Sequence, residues 1–312
     1  MKLNKTTKIL LKLLIITASY AYIAIRLYNN RNYFNELHFD SLIIPLLIII
    51  LMPVNWLIES VKWKYLVRKF SNISLWTSLK GVFTGLTAAV FTPNRIGEYF
   101  GRIVVLDDKY RIKGIFATIV GSFAQILTTV FFGIISLYLL VENKSATDSL
   151  IQYNNIWTWI FLSIMMIITA LLYFNISWFE WMFRYVPFVK KYRKHFVILK
   201  DYSKKDLVVT LFYSVLRYVV FVSQYILFLY FFDVRVGIYE SLICIGAGYL
   251  VILAVPTFTI AEIGVRGSVA LFFLEMFSQN TTGIISATVS LWIVNLAIPA
   301  FLGSIILYRQ KL

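Results

Sequence analysis

Apolar residues run in long blocks along this chain, and polar residues gather between the blocks rather than inside them. Six blocks are long, at about 9–28, 42–61, 114–141, 156–175, 207–232 and 284–307. A helix rises about 1.5 Å per residue, so each block reaches across the roughly 30 Å hydrocarbon core of a bilayer. The alternating segments of about ten residues that mark a transmembrane β-barrel are absent from the sequence. The expected fold is therefore all-α, a polytopic membrane protein with about six full transmembrane helices.

Two further apolar stretches are too short to cross and are broken by proline and glycine. Between Gly81 and Phe91 only 11 residues precede Thr92-Pro93, and the patch Ile103 to Leu106 follows Arg102. Ser241 to Val255 ends at Pro256, and Val269 to Phe277 follows Gly267. Each stretch is expected to fold back as a re-entrant helical hairpin, over 78–106 and 238–277, giving about eight hydrophobic segments in one domain spanning 1–312. Pro45 and Pro53 fall in the second block and are candidate kinks.

Charge orients these segments. Lys2, Lys5, Lys8 and Lys12 precede the first block, and its apolar run lacks a small-x-small cleavage site before Arg26, so it reads as a retained span. The segment 62–80 carries Lys62, Lys64, Arg68, Lys69 and Lys80 with no acid and reads as a cytoplasmic loop. The segment 176–206 holds eight basic residues against three acids, with Trp178, Trp181, Phe183, Tyr185, Phe188 and Tyr192 among them. That mixture suits a helix lying in the cytoplasmic interface. Both termini then lie in the cytoplasm, the hairpin at 78–106 enters from the cytoplasmic side, and the hairpin at 238–277 enters from outside. The two hairpins resemble an inverted repeat.

Composition agrees: 60% of residues are hydrophobic, 14% are charged, and the mean hydropathy is +0.77. The net charge of +15 would suggest nucleic acid in a soluble protein; here it is assigned to loops that meet anionic lipid headgroups at the cytoplasmic face. The single cysteine, Cys244, excludes a disulfide within the chain, and His38 and His195 are too far apart in sequence to suggest a metal centre. No metal or cofactor is expected, and no phosphate-binding G-x-x-x-x-G-K-[ST] motif occurs that would drive transport with a nucleotide.

Candidate chemistry lies in the two interruptions. Thr92-Pro93-Asn94-Arg95-Ile96-Gly97-Glu98 continues to Arg102, and Pro256 is followed by Glu262-Ile263-Gly264-Val265-Arg266. In each, an arginine stands four residues after a glutamate, on one helical face. Charged side chains at bilayer depth cost about 2.5–3.5 kcal/mol on insertion scales and mark function by default. Arg95, Arg102 and Arg266 are the expected contacts to an anionic group, since a guanidinium matches phosphate oxygens. Glu98 and Glu262 would orient those arginines, carry protons or meet a cationic headgroup. Asn55 and Glu59, four apart, are weaker substrate-binding candidates, with the cytoplasmic interface an equal expectation for Glu59. Asn295 is expected to bond helix to helix rather than bind a ligand.

These residues carry a resemblance. Asn55-Trp56 with Glu59 and Trp63, Thr92 to Glu98 with Arg102, and Ile263-Gly264-Val265-Arg266 after Pro256 are similar to motifs of the lysylphosphatidylglycerol synthase membrane domain, or flippase-like, family. The second motif departs from the family pattern: Gly267 follows Arg266, where an acid is usual, and the acid here is Glu262. The resemblance implies movement between leaflets of an anionic or zwitterionic phospholipid or a polyprenyl-phosphate-linked lipid in a prokaryotic cell membrane. It implies the membrane part without the aminoacyl-transferase domain, and hence no catalytic residue. Two alternatives stand beside it. One is a polyprenyl-phosphate-dependent glycosyltransferase, with Glu36, Asp40 or Asp148 as its acid. The other is a non-transporting partner of a separate glycosyltransferase or synthase. Self-association as a homo-oligomer is compatible with each reading.

Overall fold

The computed structural model describes residues 42–143, 156–178, 197–255 and 259–309. The first expected span, the loops holding Glu36, His38, Asp40 and Asp148, and most of the expected interfacial segment, including His195, lie outside these residues. The described chain is helical, with no strand among the described residues. Its elements are α1 (Ile43–Val67), α2 (Leu75–Val90), α3 (Gly97–Arg102), α4 (Asp108–Glu142), α5 (Ile156–Phe174), α6 (Lys204–Phe231), α7 (Ile238–Ala254), α8 (Thr259–Leu274), α9 (Thr281–Trp292) and α10 (Ile298–Arg309). Among the described residues, five helical stretches are long and apolar enough to cross a membrane: α1, α4, α5, α6 and the run through α9 and α10.

Helix α1 shows how the bundle is built. Asn55, Glu59, Lys62, Trp63 and Leu66 recur at helical spacing and are buried. Leu46, Leu47, Ile49, Ile50 and Leu57 are exposed. Large apolar side chains face outward while polar and charged ones face in, the reverse of a soluble helix. In a bilayer this is the favourable arrangement, because lipid solvates the leucines and only protein can satisfy the charges.

Helix α6 runs antiparallel to α1. At one end Asp206 caps α6 with Ser203 and takes Lys69 at 2.6 Å and Arg68 at 3.1 Å from the end of α1. At the other end Gln224 donates to the carbonyl of Ile48 at 3.1 Å. The first of these is the basic end, where Arg68, Lys69, Lys204 and Lys205 gather.

Both interrupted stretches form antiparallel hairpins. In the first, Gly81 lies against Val105, Gly85 against Arg102, and Gly97 against Ala88, while the Thr84 hydroxyl donates to the Gly101 carbonyl at 2.9 Å. Helix α2 stops because Pro93 forces Thr92 into extended backbone (φ −126°, ψ 144°). Asn94 and Arg95 then adopt left-handed φ values of 51° and 58°, which reverses the chain. In the second, Cys244 Sγ meets the Phe273 carbonyl at 3.3 Å, Gly248 faces Val269, and Tyr249 meets Arg266. The first hairpin starts beside the basic end of α1. The second starts beyond Phe231 at the opposite end, where Asn280 closes the return by donating to the Phe232 and Asp233 carbonyls, each at 3.1 Å.

Two sequence-based boundaries are corrected. Helix α1 continues to Val67 rather than ending at 61, so Lys62 is not in a loop but is 2% exposed inside the bundle. Glu59 is likewise buried inside the bundle. Helix α4 begins at Asp108 rather than 114. The reason is shared: helices run on past the apolar core, and their charged ends look like loop in a hydrophobic pattern. In the last span, the wider π turn Ile293–Ala297 separates α9 from α10. Pro299 lacks the N–H that would bond the carbonyl of Asn295, which favours such a widening.

Candidate functional site

Glu59 is 4% exposed and sits at the centre of a charge network. Its Oε1 accepts Arg102 Nη2 of α3 at 2.8 Å. Its Oε2 accepts Arg217 Nη1 of α6 at 2.9 Å and Lys62 Nζ, one turn along α1, at 2.8 Å. One carboxylate thus holds three cations from three helices. Arg102, 3% exposed, also pairs with Glu98, and Glu98 lies 3.7 Å from Arg95.

The network continues as neutral amides. Arg217 Nε donates to Asn55 Oδ1 at 2.9 Å, and Asn55 Nδ2 donates to Asn295 Oδ1 at 2.8 Å. Asn295 Nδ2 then donates to Gln224 Oε1 at 2.7 Å. The π turn sets Asn295 where it reaches both α1 and α6. Asn295 therefore joins helices. Asn55 is the middle residue of α1 and Arg217 lies near the middle of α6, about 18 Å from either end of α1 at the helical rise. The amide chain thus lies midway along the bundle, and Glu59 and Lys62 lie about one and two turns nearer the basic end.

The second motif forms its own pair. Arg266 donates Nε at 2.9 Å and Nη2 at 2.6 Å to Glu262 Oε1, and Nη1 to the Tyr249 hydroxyl at 2.8 Å. The turn Pro93–Arg95 touches α8, which carries Glu262 and Arg266. The two hairpins therefore meet at their charged ends.

The charges do not balance. Lys62, Arg95, Arg102 and Arg217 face Glu59 and Glu98, an excess of two positive charges, and Glu262 with Arg266 adds none. Arg95 Nε and Arg102 Nε are buried without an acceptor among the described residues, as are the indole N–H groups of Trp56 and Trp292. Leaving a buried donor unmade costs about 1–3 kcal/mol. No group of metal-binding residues occurs among the described residues.

The family model for the lysylphosphatidylglycerol synthase TM region matches residues 9–303. The chain belongs to this family. No curated protein and no solved structure matches it. Membership together with the apolar helices makes this lysylphosphatidylglycerol synthase TM region protein a multi-pass membrane protein, with a function among membrane lipids.

Of the sequence candidates, the structure brings Asn55, Glu59, Arg95, Glu98 and Arg102 into one network, and sets Glu262 and Arg266 as a neighbouring pair. Sequence reasoning missed Arg217, Lys62, Gln224 and Tyr249. Arg217 carried a usable signal, as the lone charge well inside the block 207–232. Lys62 was masked by the basic run after it, and Tyr249 looks like any aromatic in an apolar stretch.

Proposed function

We propose that this protein moves a lipid with an anionic or zwitterionic headgroup between the leaflets of the cell membrane, with both termini in the cytoplasm. The observation that carries this reading is the positively charged network around Glu59 buried inside the bundle, next to the meeting point of two hairpins that start from opposite ends. A headgroup crossing hydrocarbon must exchange water for other polar partners, and fixed cations inside the bundle offer them. Lipids with phosphate groups suit arginine best, because its planar fork matches their oxygens. Glu59 and Glu98 position the cations and keep their mutual repulsion bearable between passages.

Vesicles reconstituted with the purified full chain and fluorescent phospholipids test this reading. Leaflet exchange should exceed that of empty vesicles. Arg95→Ala should lower it by roughly ten- to a hundredfold, the loss expected for one charge-assisted hydrogen bond of about 1.5–3 kcal/mol. Sugar transfer from a polyprenyl phosphate, with no exchange of any phospholipid or polyprenyl phosphate, overturns it.

A further inference from the structure

The unbalanced charge narrows the headgroup. Four cations and two carboxylates meet in one network, and two of those carboxylates' partners, Lys62 and Arg102, are only 2% and 3% exposed. Lys62 and Arg102 thus offset the two carboxylates, and the excess falls on Arg95 and Arg217, which are partly exposed. Three cations already share Glu59, so that carboxylate has little left to offer Arg95, whose only described ion pair is the 3.7 Å contact to Glu98. The Nε groups of Arg95 and Arg102 are buried and lack acceptors among the described residues. Charge and hydrogen bonding point the same way: the site lacks about two negative charges and several acceptor oxygens on the Arg95–Arg102 side.

Three headgroup classes can be weighed against that deficit. A zwitterionic headgroup brings no net charge, and its ammonium would face cations. A phosphodiester brings one negative charge. A terminal phosphomonoester brings about 1.5 to 2 negative charges at pH 7 and three strong acceptor oxygens. Only the last matches both the charge excess and the open donors. Arg95, about a third exposed along its side chain, and Arg217, at 30%, remain reachable, whereas Lys62 and Arg102 are enclosed.

Resting on the transport reading above, we infer that the site around Arg95, Arg102 and Arg217 selects a phosphomonoester, a lipid whose headgroup ends in a dianionic phosphate. Glu98 is the internal stand-in for that phosphate: it occupies Arg95 and Arg102 now and yields them when the dianion arrives. A soluble phosphomonoester or inorganic phosphate shares the chemistry, and the test separates the two sources.

The first measurement is binding, which does not depend on transport. The full chain in detergent is heated with short-chain phosphatidic acid, short-chain phosphatidylglycerol or inorganic phosphate. Phosphatidic acid should raise the melting temperature at concentrations about tenfold below those needed for phosphatidylglycerol. Moving from pH 7 to pH 5 should weaken its effect about tenfold, because the second phosphate ionisation lies near pH 6 and the dianion falls by about that factor. Phosphatidylglycerol, which keeps its single charge over this range, is the control for any pH response of the protein. Arg95→Gln should narrow the preference to about threefold or less. If inorganic phosphate stabilises as well as phosphatidic acid, the ligand is soluble phosphate and the lipid assignment is overturned. Equal binding of the two lipids, or a preference untouched by pH, overturns the phosphomonoester inference.

The second measurement is exchange in vesicles with fluorescent analogues of both lipids. Faster exchange of phosphatidic acid at pH 7 than at pH 5, against a steady phosphatidylglycerol rate, is the expected result. Equal exchange of both lipids overturns the selectivity and leaves lipid transport standing. Selective binding with no exchange overturns transport and leaves the headgroup assignment standing.

Discussion

Glu59 faces Lys62, Arg102 and Arg217, and of these charges only Arg217 is not enclosed. Removing one member of a buried ion pair costs more than the pair contributes, because it strands the other. Glu59→Gln should therefore lower unfolding stability by about 3–5 kcal/mol, read as a fall in melting temperature in detergent. The double variant E59Q/K62M removes one charge of each sign and should regain part of that loss. An unchanged melting temperature in Glu59→Gln would mean that the cations are neutralised some other way. At this scale the sequence is legible where partners are near in the chain. Glu98 with Arg102 and Glu262 with Arg266 follow from a spacing of four. The pairing of Glu59 with Arg217 spans 158 residues, and no local pattern encodes it.

Among the elements, the first hairpin depends on small residues more than on charge. Gly97 faces the Ala88 carbonyl so closely that a Cβ has no room, and Gly101 faces the Thr84 carbonyl and Gly85 in the same way. Gly97→Ala should push α3 away from α2 and carry Arg95 and Glu98 with it. It should lower thermal stability by about 1–3 kcal/mol, as overpacking does, and reduce lipid exchange together with it. Retained stability and exchange would show that the turn tolerates the shift. At the basic end, Asp206 caps α6 and holds Lys69 and Arg68 of the preceding segment. Asp206→Ala should cost about 0.5–2 kcal/mol through the cap, measured by thermal unfolding, without changing headgroup preference. The existence of both hairpins was readable from Pro93, Pro256 and the shortness of their arms. Their packing partners were not, since glycines at 81, 85, 97 and 101 are equally compatible with a flexible loop.

For the whole molecule, opposite entry of the hairpins is the claim with the most reach. Lys205 and Gln279 are both exposed and lie at opposite ends of the described bundle. Lys205→Cys and Gln279→Cys should react with a membrane-impermeant thiol reagent from opposite sides of oriented vesicles, with buried Cys244 silent. Labelling of both from one side would overturn the arrangement.

The sequence by itself determined the class of the protein and the identity of most of its special residues. Long apolar blocks can be stable only in lipid, and charge is too costly there to persist without a role. Pro93 likewise marks the end of α2, whereas Pro53 lies inside α1 without ending it. What only the tertiary structure decided is which charges share a partner. Helix α6 had to lie antiparallel to α1 before Arg217 met Glu59, and the π turn had to form before Asn295 reached Asn55 and Gln224. The excess of two positive charges is a property of that assembly. Coulomb energy depends on distance in space and on burial, and the chain order carries neither.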